Sequence, residues 1–574
     1  MRVIALLRRL PALPGAALIA GLAAALYLPF LSNPPVFDDF FFFSGRQFAY
    51  YAMHPFGLEL RAPPYFSLAI VQVFWGHVVA HRLVSLALHL GCAITLYKLI
   101  FDVQRHAAAA AGAPSTGMEA HAPAFLAAAV FAVHPVAVYG AAYLIQRMTV
   151  LATLFSLLSV ILFLRGLARR SHADALSAAF LYTIAVLSKE TAVLLPAAAA
   201  VGGLMVAVER RFLFRHIALY WVACVPAAVL VTLLVKGKIG ATEEPNFDVL
   251  TAQIAQAGTS AQSPWLESAM TQAGLFFHYL TSWVLPTTGG MSIDVRSEFA
   301  TAWPPVVAVL AVFGFAAWGA LGAWLMRRGP RARAAGFGML FPWILFLTEF
   351  ATIRFQEPFV LYRSYLWAPG LALLLALALA RMPRRGLVVG AMIVLPLLLY
   401  QAHDRLHSFS SGLALWEDAV AKLPERPIPG GSRTLYNLGR EYLYRERVDD
   451  AVRTVERCLA QYPGTYDCHY ARAGIHLYRE QYREALPHLA RAIALRPREG
   501  AARNNLGIAL ENLGCVEDAK TQYRLAYQIG FAGAYHSLIR LESPGTGLLK
   551  PIKRKAPTEV CGRVLPDGTI AAPR

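Results

Sequence analysis

Charged residues are scarce in this chain: 15% of its 574 residues are Asp, Glu, Lys or Arg, 57% are hydrophobic, and mean hydropathy is +0.46. Soluble globules carry about 25% charged residues, so a wholly soluble protein is excluded. Lysine is rarer still, with arginine outnumbering it about five to one. Together with abundant alanine, this is the bias of a GC-rich bacterial genome. Cysteine is limited to six residues, none with the Cys/His spacing of a metal site. A Walker phosphate loop and a G-x-S-x-G elbow are also missing, which argues against ATPase and serine-hydrolase chemistry. No metal or cofactor is expected. The formal charge is +18, but the arginines cluster at the ends of apolar runs rather than on one basic face. No nucleic-acid partner is therefore expected.

Long apolar runs are what the sequence has instead. A spanning helix needs about 20 such residues, and the runs predict about eleven spans, near 12–31, 83–101, 123–138, 148–166, 174–188, 191–208, 217–235, 301–326, 337–353, 366–380 and 387–402. Arg2, Arg8 and Arg9 precede the first span, and Arg165, Arg169 and Arg170 follow the fourth. Arg210, Arg211 and Arg215 follow the sixth, Arg327, Arg328, Arg331 and Arg333 the eighth, and Arg381, Arg384 and Arg385 the tenth. All these clusters fall on one side, which the positive-inside rule makes the cytoplasm. Trp265–Pro286 would break the pattern if it spanned, so it reads as an interfacial or re-entrant helix on the opposite face. Met1–Phe30 reads as a first span, because no convincing small-residue cleavage site precedes Asp38. The expectation is a multi-pass protein of the bacterial inner membrane, with a cytoplasmic N-terminus and a periplasmic C-terminal region.

Charge returns in the last part of the chain, and with it a repeat. Ala451, Ala485 and Ala519 recur at 34-residue spacing, as do Gly439, Ala473 and Gly507, and Pro463 and Pro497. Small residues there let two antiparallel helices touch, and the proline ends each second helix. This is the tetratricopeptide signature. The fold class is thus all-α, with a polytopic helical domain over 1–402, a linker over 403–431, a repeat solenoid over 432–541 and a Pro/Gly/Lys-rich tail over 542–574. Such solenoids usually bind protein or peptide. Cys458, Cys468, Cys515 and Cys561 lie in this region, and their even number permits disulfides in an oxidising compartment. Cys458 and Cys468 flank a predicted turn. Lys553, Arg554 and Lys555 read as a solvated run, with anionic lipid headgroups as the alternative partner.

Ionisable residues within or beside spans are expensive and mark function by default. They gather on the predicted outer side. Asp38 and Asp39 open the first outer loop, and Arg61 follows in it. His134 and the Gln146-Arg147 pair lie between spans three and four, and Lys189-Glu190 breaks spans five and six. Asp294 follows the interfacial segment, and Glu357, Arg363 and Tyr365 precede span ten. Carboxylates can deprotonate an acceptor hydroxyl, and cations can hold a phosphate leaving group. Each has a plainer reading beside this one: Asp38 and Asp39 as interfacial charges, Lys189-Glu190 as a helix-end ion pair, Arg147 as an interfacial residue. His89 reads as a packing or hydrogen-bonding residue, and Glu243, Glu244 and Asp248 as solvated loop carboxylates.

The order of motifs carries a resemblance. V-F-D-D at 36–39 is followed by Arg61, R-L-V-S-L-A-L-H at 82–89 and V-F-A-V-H-P at 130–135. Gln146-Arg147, L-S-K-E at 187–190, H-Y-L-T-S-W-V-L-P, S-I-D at 292–294 and R-S-Y-L-W-A-P at 363–369 come next, and then the repeats. This resembles the transmembrane and tetratricopeptide-repeat-containing O-mannosyltransferases and their bacterial relatives in the GT-C superfamily of membrane glycosyltransferases. The resemblance implies inverting transfer of one sugar from a polyprenyl-phosphate carrier to an acceptor outside the cytoplasm. It makes Asp39 or Asp38 the general base, with Asp39 favoured and Asp38 orienting it or the acceptor. Arg147, Lys189 and Arg363 become ligands of the lipid phosphate, and Arg61, Glu190 and Asp294 join the substrate-binding set. The partners implied are the polyprenyl-phosphate-linked sugar, membrane lipids and a periplasmic acceptor protein or peptide held by the repeats. One departure stands out: the family often has a glutamate four residues after the H-P proline, and Tyr139 occupies that place. Two alternatives stand beside protein O-glycosylation: transfer to an envelope glycan or glycolipid, and a non-catalytic scaffold that assembles proteins on its repeats.

Overall fold

The computed structural model describes residues 13–43, 47–55, 57–112, 117–206, 208–235, 264–354, 357–542 and 561–562. The arginines at 2, 8 and 9, the carboxylates at 243, 244 and 248, and the basic run at 553–555 lie outside the described residues. Among those described, every regular element is a helix. They fall into two compact units, the first running to Leu415 and the second beginning at Trp416.

In the first unit six helices are long and apolar enough to cross a membrane: Val78–Ala110, Leu144–Arg169, Arg210–Leu234, Pro305–Leu325, Pro330–Ala351 and Arg384–Ser408. A seventh is bent: His121–Val133 meets Pro135–Ala141 at 62°. The cause is local. Pro135 occupies the first turn of the second piece, and the His134 side chain caps it by accepting from the Val136 N–H at 3.2 Å.

Four of the other predicted spans are short apolar helices, Pro14–Phe30, His172–Ser188, Glu190–Gly203 and Ala368–Leu379, below the length that crosses about 30 Å of hydrocarbon unaided. Between the second and third of these, Lys189 takes an extended backbone (φ −151°, ψ 121°) and interrupts the ladder. Ala62–Phe74 is a further short apolar helix inside the predicted first outer loop. The Trp265–Pro286 region is one continuous 21-residue helix, Pro264–Val284.

Burial separates lipid-type helices from core ones. The most apolar windows of Arg210–Leu234 and Pro305–Leu325 are only 22% buried, and that of Arg384–Ser408 only 11%. They turn Phe214, Val222, Leu310, Phe313, Met392 and Ile393 outward, the pattern of a helix solvated by lipid. Leu144–Arg169 is the opposite, with 78% of its window buried, and its Arg147–Arg169 part packs on His172–Ser188 and Val78–Ala110.

The 403–431 segment, expected as a linker, is largely helical: Arg384–Ser408 continues into it and Gly412–Ala421 follows. Beyond it, helices come in consecutive pairs: Gly431–Tyr444 with Val448–Gln461, Tyr466–Tyr478 with Tyr482–Leu495, and Gly500–Asn512 with Val516–Gln528. The 34-residue periodicity has a steric reading here. A Cβ on Gly439 would stand 3.1 Å from Val455, and one on Gly507 would stand 2.6 Å from the Tyr523 ring. Ala451, Ala485 and Ala519 are fully buried in the same seams. The cysteines pair as Cys458–Cys468 and Cys515–Cys561.

Candidate functional site

The first loop of the first unit is held by a buried cation and a buried acid. Arg82, in the Val78–Ala110 helix, donates to the carbonyls of Asn33, Pro34 and Ala142 at 2.7–2.8 Å. Five guanidinium N–H groups in a planar fork suit such multiple capture. Asp39 is completely buried. One of its oxygens accepts from the Val36 N–H at 3.0 Å and the other from the Ile145 N–H at 2.8 Å. Burial pushes its carboxyl up to about 7, although those two N–H groups and Arg82 favour the anion. Between the two anchors the chain turns sharply. Phe37 has φ +48°, a region costly for a bulky residue, and the Asp38 N–H donates to the Tyr143 hydroxyl at 3.1 Å.

That turn sends the two acids different ways. Asp38 lines a cavity of about 480 Å3, while Asp39 is not among its lining residues. The sequence reading favoured Asp39 as base; in the structure both its oxygens serve backbone groups, and Asp38 is the acid of the pair that lines the cavity.

The same cavity is lined by Arg61, Lys189, Glu190, Glu349, Arg354, Glu357, Tyr362 and Arg363. Arg61 is set by backbone strain (φ +66°) and by its N–H donating to the Leu187 carbonyl at 2.8 Å. Its guanidinium reaches Glu190 at 3.2 Å, and Lys189 Nζ lies 3.7 Å from the same Glu190 oxygen. Burial brings the Lys189 ammonium down to about 8; the neighbouring Glu190 opposes this, and Arg61, Arg363 and Arg354 add to it. On the other wall Glu349, fully buried, lies 2.8 Å from Arg354 and 3.6 Å from Arg363. Arg363 also donates to the Glu357 carbonyl at 3.0 Å.

Of the residues singled out by sequence, the structure thus gathers Asp38, Arg61, Lys189, Glu190 and Arg363 on one cavity. Arg147 is elsewhere. It is fully buried and donates to Ser85 Oγ at 3.2 Å, the Ser67 carbonyl at 3.0 Å and the His81 carbonyl at 2.7 Å, fastening three helices. Asp294 is also off the cavity and pairs with Arg296 at 2.5 Å, both buried. Tyr139, at the expected glutamate position, is buried and off the cavity too. His89 bonds the Tyr365 hydroxyl at 2.7 Å and the Ala132 carbonyl at 2.9 Å, a packing role. Sequence reading overlooked Glu349 and Arg354. The signal was available, since Glu349 is an acid near the end of the apolar Pro330–Ala351 helix.

Among the described residues no cluster of His, Cys, Asp and Glu is arranged to hold a metal. No family model matches the sequence, and no curated protein matches it.

Proposed function

We propose that this chain is a GT-C-type membrane glycosyltransferase that moves one sugar from a polyprenyl-phosphate donor to hydroxyl groups of a periplasmic protein. In this reading about eleven segments lie in the inner membrane, counting the short ones as spans, and the paired helices form a periplasmic tetratricopeptide solenoid that recruits the acceptor. The observation that carries the reading is the juxtaposition of Asp38 with Arg61, Lys189, Arg354 and Arg363 on one cavity. Its volume of about 480 Å3 is in the range of small-ligand sites.

The chemistry follows from charge. As the acceptor oxygen attacks the anomeric carbon, Asp38 takes its proton. The bond from that carbon to the phosphate oxygen breaks on the opposite face, and configuration inverts. The departing phosphate keeps the electron pair, and Lys189 and the arginines stabilise the charge it carries. Arg147 and Asp39 serve instead as positioning residues for the loop.

The test is transfer by the purified full-length chain, with undecaprenyl-phosphate-linked sugars and Ser/Thr peptides, read by mass. Asp38→Asn should lose roughly 100-fold or more in rate with folding unchanged. Wild-type rates in Asp38→Asn would reject Asp38 as base. If the wild type moves sugar to no acceptor, and envelope proteins of a deletion strain keep their masses, the scaffold reading replaces this one.

A further inference from the structure

A second cavity, of about 620 Å3, shares no lining residue with the first. Its walls come from the His121–Val133, Ala368–Leu379 and Arg384–Ser408 helices, with the end of Pro264–Val284 at one extremity. Among its lining residues only His134, Trp283 and Thr287 carry a side-chain nitrogen or oxygen, and the first two are engaged. The His134 ring accepts from the Val136 N–H and reaches the Trp283 carbonyl at 3.1 Å, while the Trp283 N–H donates to Ser364 Oγ at 2.9 Å. An occupant is therefore held along its length by apolar contact.

The dimensions suit one leaflet of a bilayer. Gly386 and Leu398 line the groove from a single helix, and at 1.5 Å per residue they stand about 18 Å apart, a little over half of the roughly 30 Å hydrocarbon thickness. Between them Gly390 also lines the groove, and a Cβ there would meet nothing within 4 Å. Glycine weakens a helix interior relative to alanine, and the packing of this chain does not call for it at 390. The space it leaves is open to a chain that is not the protein's own.

Charge marks one end. Met382, Gly386 and Leu387 line the groove, and Arg381, Arg384 and Arg385, all exposed, are interleaved with them. No Asp or Glu occurs from 358 to 403, so the turn joining the two helices sets no carboxylate against these arginines. An apolar slot that ends in guanidinium groups matches an acyl chain that ends in an acidic phosphate headgroup.

We infer that this groove holds one acyl chain of an anionic phospholipid, with its headgroup against Arg381, Arg384 and Arg385. The slot accepts hydrocarbon, and the arginines select the lipid. This does not rest on the glycosyltransferase reading, which concerns the other cavity.

Native mass spectrometry of the purified full-length chain in neutral detergent tests it. The probes are dioleoyl phosphatidylglycerol, dioleoyl phosphatidylcholine (the same chains without net charge) and undecaprenyl phosphate. Wild type should bind phosphatidylglycerol roughly 10-fold or more tightly than phosphatidylcholine, the worth of one or more arginines at a headgroup. Arg384→Gln with Arg385→Gln should bring the two lipids within about 3-fold of each other by weakening phosphatidylglycerol alone. Gly390→Leu fills the slot, keeps the arginines and favours the helix. It should weaken both phospholipids roughly 10-fold and serves if the arginine variant does not fold. Undecaprenyl phosphate should bind alongside phosphatidylglycerol and be unaffected by Gly390→Leu. Equal wild-type affinities for the two phospholipids, or unchanged phosphatidylglycerol binding in Gly390→Leu, overturns the inference. Undecaprenyl phosphate that displaces phosphatidylglycerol one for one, and is itself weakened by Gly390→Leu, gives the groove to the polyprenyl carrier and overturns it too.

Discussion

Asp38 and Asp39 are neighbours in sequence with opposite fates, and the difference is testable by stability. Replacing the Asp39 carboxylate by an amide gives the Val36 or Ile145 N–H a donor in place of its acceptor. Asp39→Asn should therefore lower folding stability by ~1–3 kcal/mol, seen as reduced melting temperature in detergent. Asp38→Asn should not. An equal melting temperature for wild type and Asp39→Asn would mean the loop is held by Arg82 alone. Lys189 gives a pH dependence. Its ammonium titrates near 8, so it is cationic below that pH and neutral above it. Affinity for undecaprenyl phosphate should fall as pH rises through 8, and Lys189→Arg should remove that fall because arginine stays charged. A pH-independent affinity in wild type would take Lys189 out of phosphate binding. That two acids lay at the start of the first loop was legible in the sequence. Which one faces the cavity was not, because it turns on the positive φ of Phe37 and on the grip of Arg82, and neither leaves a local pattern.

At the scale of elements, the long apolar runs and the 34-residue period were readable because both are periodic and local. Where the runs break was read unevenly: the break at Lys189-Glu190 was placed correctly, but span 123–138 was drawn through His134, where capping and Pro135 start a new helix without a run of polar residues. Arg147 shows the same limit. Its charge suggested a phosphate ligand, but it opens the best-buried of the helices long enough to span and ties it to the helices carrying Ser67, His81 and Ser85. Arg147→Met should leave those carbonyls without donors and cost about 3 kcal/mol or more, with lower yield of folded protein. Affinity for undecaprenyl phosphate in the folded fraction should change little. A selective loss of affinity with normal stability would restore Arg147 to the phosphate site.

For the whole molecule, topology and redox state are linked. Reporter fusions after Arg170, Arg211, Arg333 and Arg385 should be cytoplasmic, and fusions after Gln401 periplasmic. Purified protein should then show no free thiol among Cys458, Cys468, Cys515 and Cys561, which pair in the second unit, and reduction should destabilise that unit by about 3 kcal/mol for the first bridge and about 4 kcal/mol for the second, which closes the longer loop. Cytoplasmic activity of the last fusion would place the repeats opposite the proposed site and sink the acceptor-recruiting role. The way charges pair in the cavity also bears on how the chain is made. Arg61 and Lys189 share Glu190, and Arg354 and Arg363 share Glu349, so each set keeps one positive charge over. Each set is complete within its own stretch of chain, and the second stretch is synthesised well after the first. A half-built protein leaving the ribosome can thus already hold Glu190 paired while later helices are still being made. The cavity is complete only when the two sets, each with one positive charge over, come together, so on the proposed reading an unfinished chain has no whole site with which to sequester a lipid carrier.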